Sequence, residues 1–276
     1  MAKGKKANIG IGLGEDKAHN LKILSAISDF LKENNAFIRI VGTLSQTHHI
    51  LNDPEYKKND TRISLVESQE PEEEIINSLM EGKIDAIVRG SLSSSKFLKS
   101  VKKYLNVNEI NRLTLLETHE GYQFFYGPVG IDECNNFEKK ISFIKSAVKV
   151  LNSLKISPKI SVLSGGRKSD IGRDAQVDDT IKVAEEVVRY FQDDKSISIS
   201  HDEILIESAI EKKSNLIIAP GGISGNLIYR TLVHLGNGKA YGAIYMDINK
   251  VIIDTSRVGK LSEIIGALKL ALSLCP

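Results

Sequence analysis

The stretch LIIAPGGISGNLIYRTL, Leu216 to Leu232, passes from an apolar run ending at Pro220, through Gly221 and Gly222, into a segment with apolar residues at helical spacing: Leu227, Ile228, Thr231, Leu232 and Leu235. That pattern reads as a buried strand, a tight loop and a helix N-terminus. A helix N-terminus leaves backbone N–H groups unpaired and carries partial positive charge, so it suits a phosphate. Gly221, Gly222 and Gly225 would let a ligand approach the backbone closely. A tight strand-to-helix connection with no ligand accounts for the same residues equally well.

Outward from this stretch the same alternation repeats. Strands are expected at Asn8–Leu13, Phe37–Gly42, Arg62–Val66, Ile84–Val88, Leu113–Glu117, Lys159–Leu163, Leu216–Ala219, Ala240–Met246 and Val251–Asp254. Helices are expected at Lys17–Glu33, Pro71–Glu81, Ser94–Tyr104, Asn135–Leu154, Gln176–Phe191, Asp202–Lys213, Asn226–Leu235 and Lys260–Leu274. Several strands are continuous Ile/Val runs, which implies burial on both faces and hence a mainly parallel sheet covered by helices. In such sheets ligands sit beyond the carboxyl ends of the strands. GYQFFYGPVGIDEC, Gly121 to Cys134, is aromatic and punctuated by Gly and Pro, and it marks a candidate domain boundary, readable as a β-ribbon crossing.

The 276 residues are enough for one large domain or two modest ones. Apolar residues make up 41% and charged residues 26%, an ordinary balance for a soluble globular protein. The formal charge is +2, from 37 basic and 35 acidic residues, which argues against a broad nucleic-acid footprint. No apolar run is long enough to span a bilayer and no signal-peptide core follows MAKGKK, so the expectation is a cytoplasmic protein without membrane association. Cys134 and Cys275 are far apart and match no metal pattern, which suits reduced thiols.

Several residues can carry chemistry. Ser256 and Arg257 follow an apolar strand and precede a final helix whose apolar face is Leu261, Ile264, Ile265, Leu268 and Leu272. Arginine there would grip phosphate in bidentate fashion, and the serine hydroxyl would donate to a developing oxyanion. A helix-entry turn with a surface arginine is the plain alternative. Glu263 stands six residues after the arginine, where a first-turn carboxylate is favoured by the helix dipole. Ser164, Gly165, Gly166 and Arg167 form a second loop after a strand, suited to a phosphate or acyl-phosphate. Arg89 ends a strand just before Gly90 and the Ser91–Ser95 turn, where it suits a ligand or a structural carboxylate. Gly10, Gly12 and Gly14 give only a partial dinucleotide pattern, since position 15 is glutamate. His48 and His49 lie in an expected loop with no further metal ligands, and His119, His201 and His234 are scattered.

Four segments in order resemble the phosphate acetyl/butyryltransferase family. They are IDAIVRGSLSSSKFL (Ile84 to Leu98), SPKISVLSGGRKSD (Ser157 to Asp170), HDEILIESAI (His201 to Ile210), and P-x-x-x-x-G-N (Pro220, Gly225, Asn226) with IIDTSRVGKLSEIIGALKLAL (Ile252 to Leu272). The nearest likeness is to a divergent archaeal branch, the methanogenesis marker protein 4 group, some of whose members carry a provisional methyltransferase-subunit label. The resemblance implies two α/β domains with mainly parallel sheets, isocitrate/isopropylmalate dehydrogenase-like, with a cleft between them. The first domain would be 1–120 plus 244–276 and the second an insertion, 121–243.

The same resemblance implies acyl transfer between coenzyme A and inorganic phosphate. Ser256 would stabilise the transition state, Arg257 would hold coenzyme A or phosphate, and Glu263 would be the base. Arg89, Ser164, Gly165, Gly166, Gly225 and Asn226 would bind substrate. Acyl-CoA and phosphate are then substrates, with no bound cofactor and no metal, in a homodimer that contacts neither nucleic acid nor membrane. Three carboxylate positions depart from the family pattern. Glu263 and Glu207 replace aspartates, and Gly221 stands where members usually carry aspartate after the proline. These departures favour a second reading: a protein of methanogen metabolism that is not an acyltransferase, either related to a methyltransferase subunit or binding a phosphorylated or CoA-like ligand.

Overall fold

The computed structural model describes residues 4–134, 136–256 and 259–275. The chain divides into two compact units, 1–110 with 241–276, and 111–240. It starts in the first with β1 (Lys6–Gly12), α1 (Lys17–Glu33), β2 (Asn35–Gly42), α2 (Leu44–Leu51), α3 (Pro54–Lys58), β3 (Ile63–Glu67), α4 (Pro71–Met80), β4 (Ala86–Val88) and α5 (Ser94–Leu105). The second unit contains β5 (Arg112–Glu117), β6 (Gln123–Gly127), α6 (Phe137–Ser153), β7 (Lys159–Val162), α7 (Ala175–Phe191), β8 (Ser198–His201), α8 (Ile206–Glu211), β9 (Leu216–Ile218) and α9 (Gly222–Arg230). The chain returns to the first unit within β10 (Lys239–Tyr245), from Tyr241, and ends there with β11 (Val251–Asp254) and α10 (Leu261–Leu274).

Each unit is a mainly parallel sheet with one antiparallel strand at the end of its order. The first runs β3-β2-β1-β4-β11-β10, antiparallel only where β11 meets β10. The second runs β5-β6-β9-β7-β8, antiparallel only between β5 and β6. The continuous apolar runs give these centres: every residue of β4 and of β9 is buried. Ile75, Leu79, Ile87, Phe97 and Ile252 belong to the core of the first unit, and Leu116, Phe124, Tyr126 and Ile217 to that of the second. The division falls before β5, because β5 pairs residue for residue along β6.

Three local expectations change. His48 and His49 lie on α2, exposed, rather than in a loop. Residues 202–213 yield only the short α8. The glycine stretch is not a loop: α9 starts at Gly222, so Gly222 and Gly225 are helical, and a π-helical turn, Thr231–Leu235, follows. Leu227 and Leu235, read as part of an apolar helix face, are 61% and 84% exposed.

Sterics explain those glycines. A Cβ on Gly222 would sit 1.9 Å from the Gly130 carbonyl oxygen, and one on Gly225 would sit 2.0 Å from that of Pro128. Both therefore serve close packing of α9 on 128–130. Gly221 is different, since a Cβ there meets nothing within 4 Å and the backbone is extended. Gly222→Ala is expected to cost about 1–3 kcal/mol by overpacking. Gly221→Ala should be neutral or stabilise by up to about 1 kcal/mol. Urea unfolding of the two variants checks the contrast.

Candidate active site

Glu263 and Ser256 meet in the first unit. β11 ends at Asp254, and the chain turns before α10, whose third residue is Glu263. The Ser256 N–H donates to Glu263 Oε1 at 2.7 Å. The turn is tight around this carboxylate, since a Cβ on Gly259 would lie 2.7 Å from Glu263 Oε2. Glu263 is only 5% exposed. Burial pushes its carboxyl up to about 7 against the Ser256 N–H bond, which favours the ionised form; the charge of Asp254 adds to the rise, and Arg89 and Lys22 oppose it. A carboxyl balanced near neutral pH suits proton transfer.

Arg89 is held inside the same unit. Its Nε donates to Asp254, its Nη1 to the Leu92 carbonyl at 2.6 Å, and its Nη2 to the Thr255 carbonyl. Of the two roles its position allows, the structural one is what these contacts describe: the guanidinium is buried and holds the Asp254 carboxylate and the Thr255 carbonyl just before Ser256. Arg257 lies outside the described residues.

The loop after β1 packs beside this clamp. Gly14 N–H donates to Ser91 Oγ at 2.7 Å, Ser91 Oγ donates to Asn20 Oδ1 at 2.8 Å, and Asn20 Nδ2 donates to the Gly14 carbonyl at 2.8 Å. The Gly12 and Gly14 pattern is explained by crowding. Added Cβ atoms would sit 2.2 Å from Leu92 and 2.1 Å from the Ser91 carbonyl oxygen. His19 is buried nearby with Nε2 unpartnered among the described residues, and burial, followed by the charge of Lys22, lowers its pKa. Sequence reasoning did not single out His19, Asn20 or Asp254, whose importance depends on contacts remote in the chain.

The remaining expected residues lie in the second unit. Ser164 is fully buried, donates to the Gly166 carbonyl at 2.8 Å and contacts His201 Nε2 at 2.9 Å. Gly165 N–H donates to Thr180 Oγ1 at 2.8 Å. Gly166 is buried, with Val177 2.5 Å from where a Cβ would be. Gly225 packs on Pro128, and Asn226 Nδ2 donates to the Val129 carbonyl at 2.8 Å. Ser164, Gly225 and Asn226 thus all support loops. Among the described residues, no group of three or more His, Cys, Asp or Glu is placed to hold a metal ion, and no helix is long and apolar enough to cross a membrane.

These features define an α/β protein with a buried carboxylate tied to a strand-to-helix turn. The chain belongs to the phosphate acetyl/butaryl transferase family, whose model matches residues 74–272. Over 205 residues it is 42% identical to an archaeal protein of Methanosarcina mazei provisionally named methyltransferase mtx subunit X, covering 74% of this chain and 72% of the relative. Its fold is that of a branched-chain phosphotransacylase from Enterococcus faecalis, with a TM-score of 0.73 at 16% identity over 97% of this chain and 98% of the other. A 4-hydroxythreonine-4-phosphate dehydrogenase from Klebsiella pneumoniae shares it, with a TM-score of 0.63 at 10% identity over 99% of each chain.

Proposed function

We propose that the protein transfers an acyl group between coenzyme A and inorganic phosphate, with acyl-CoA and phosphate as its small-molecule substrates. The observation that carries this reading is Glu263, a buried carboxyl with a pKa near 7, bonded to the backbone of Ser256 at the family's motif positions. In the direction of thioester synthesis, Glu263 takes the proton from the coenzyme A thiol. The thiolate sulfur attacks the carbonyl carbon of the acyl phosphate, the Ser256 hydroxyl donates to the resulting oxyanion, and the carbon–oxygen bond to phosphate then breaks. Arg257, assigned from the family likeness, holds the phosphate or coenzyme A. Arg89 acts as a positioning residue through Asp254 and Thr255. Glu263 reaches one methylene further than the aspartate of the family pattern, which the tight turn at Gly259 accommodates.

The test is release of coenzyme A from acetyl- and butyryl-CoA in the presence and absence of phosphate. Phosphate-dependent release should be present in the wild type and fall at least about a hundredfold in Arg257→Ala and Ser256→Ala. Absence of turnover with every acyl chain tried would overturn the reading. A second reading is favoured by the Methanosarcina relative's name and by the open position at Gly221. In it, the scaffold serves as a methyltransferase-related subunit or as a binder of a phosphorylated or CoA-like ligand. Coenzyme A binding without turnover, lost in Arg257→Ala, would support it.

A further inference from the structure

A cavity of about 590 Å³ is lined entirely by residues of the second unit. The N-terminal turns of its three longest helices contribute: Lys140 from α6, Gln176 and Val177 from α7, and Gly222, Ile223 and Ser224 from α9. Each such end carries partial positive charge. Lys140 adds a full one. It is 2% exposed, and both of its hydrogen-bond partners among the described residues are backbone carbonyls, Pro220 at 2.7 Å and Ala219 at 3.5 Å. The adjacent Cys134 supplies no counter-charge, because burial pushes its thiol up to about 12. Burial also lowers the Lys140 ammonium to about 8. The one carboxylate on the wall, Asp179, is exposed and screened by solvent. A buried cation without a counter-ion is costly, and a leucine or methionine would fill its place more cheaply. The rest of the wall is mainly apolar, with Val183, Pro220, Ile223 and Leu227 beside the polar side chains of Asn136 and Thr180, and Ile223 in the opening turn of α9 is 67% exposed.

We propose that this cavity binds an amphipathic oxyanion, a phosphoryl or carboxylate head held by Lys140 and the first turn of α9, with its apolar body against Val177, Val183 and Leu227. Lys140 belongs to none of the motifs used for acyl transfer, but Gly165 on the same wall is among the residues expected to bind substrate, so the test reads binding rather than turnover.

The test is calorimetric titration of the full chain with inorganic phosphate, n-hexyl phosphate and hexanoate. One of the two hexyl compounds should bind more tightly than inorganic phosphate, and which one does tells a phosphoryl head from a carboxylate. Lys140→Met should weaken that binding at least tenfold. Ile223→Glu should do the same by repulsion, and as an exposed second helical residue it favours rather than threatens α9. Both variants should melt within a few degrees of the wild type. No binding of any of the three at millimolar concentration overturns the proposal. So does unchanged affinity in Lys140→Met, since a lysine that merely ties the loop at Pro220 would leave binding untouched.

Discussion

Glu263→Gln should make the protein more stable above pH 7 while removing the acyl transfer proposed for it. The carboxyl is raised from an ordinary 4.5 to about 7 by burial. Between those values the folded chain binds more protons than the unfolded chain, so stability falls as pH rises from about 4.5 to about 7 and then levels off. At pH 8 the ionised carboxylate costs about 3 kcal/mol, to order of magnitude. Glutamine keeps the oxygen that accepts from Ser256 and carries no charge, so it avoids that cost. Urea unfolding at pH 8 should show a gain of this size, shrinking towards zero near pH 4.5. The same variant should lose about a hundredfold or more in turnover, the contribution expected of a positioned base. Opposite signs for stability and activity distinguish a residue kept for chemistry from one kept for packing. A loss of both would show that the carboxylate is structural.

Arg89→Ala should have the largest destabilising effect. The guanidinium and Asp254 form a pair with side chains 4% and 12% exposed. Removing Arg89 takes away the guanidinium that offsets the Asp254 charge, which costs about 3 kcal/mol, while Tyr245 Oη still donates to Asp254 at 3.3 Å. It also frees the Leu92 and Thr255 carbonyls. The double variant Arg89→Met with Asp254→Asn should recover part of the loss, because neither charge then remains. A ligand-binding arginine would behave differently, with Arg89→Ala leaving unfolding unchanged and raising only the substrate requirement. Chemical denaturation of the single and double variants separates the two.

The parallel sheets were legible because β4, β9 and β11 present continuous runs of Ile, Leu and Val, and the helices because α1, α7 and α10 repeat their apolar residues at helical spacing. The strand β8 was not. Its sequence, SISH, is polar, it ends the strand order of its unit, and it is only partly buried. The start of α9 was missed for a physical reason: glycines usually end helices, and only the approach of Gly130 explains Gly222 within one. The Ser256–Glu263 pair was accessible from the family likeness, whereas Arg89 and Asp254 are 165 residues apart and pair only through the β4–β11 register. Lys140 had a signal that went unread. It falls on the same helical stripe as Phe137, Ile141 and Ile144, where a lysine is out of place.

The pH dependence of thioester synthesis from acetyl phosphate and coenzyme A tests the central claim most directly. If Glu263 is the base, the wild-type rate rises with pH through a midpoint near 7, and that limb is absent in the far slower Glu263→Gln. In the reverse direction the same group must be protonated to return the proton to sulfur, so the rate falls through the same midpoint. A Glu263→Gln protein that retains wild-type rates and the same profile would contradict the account.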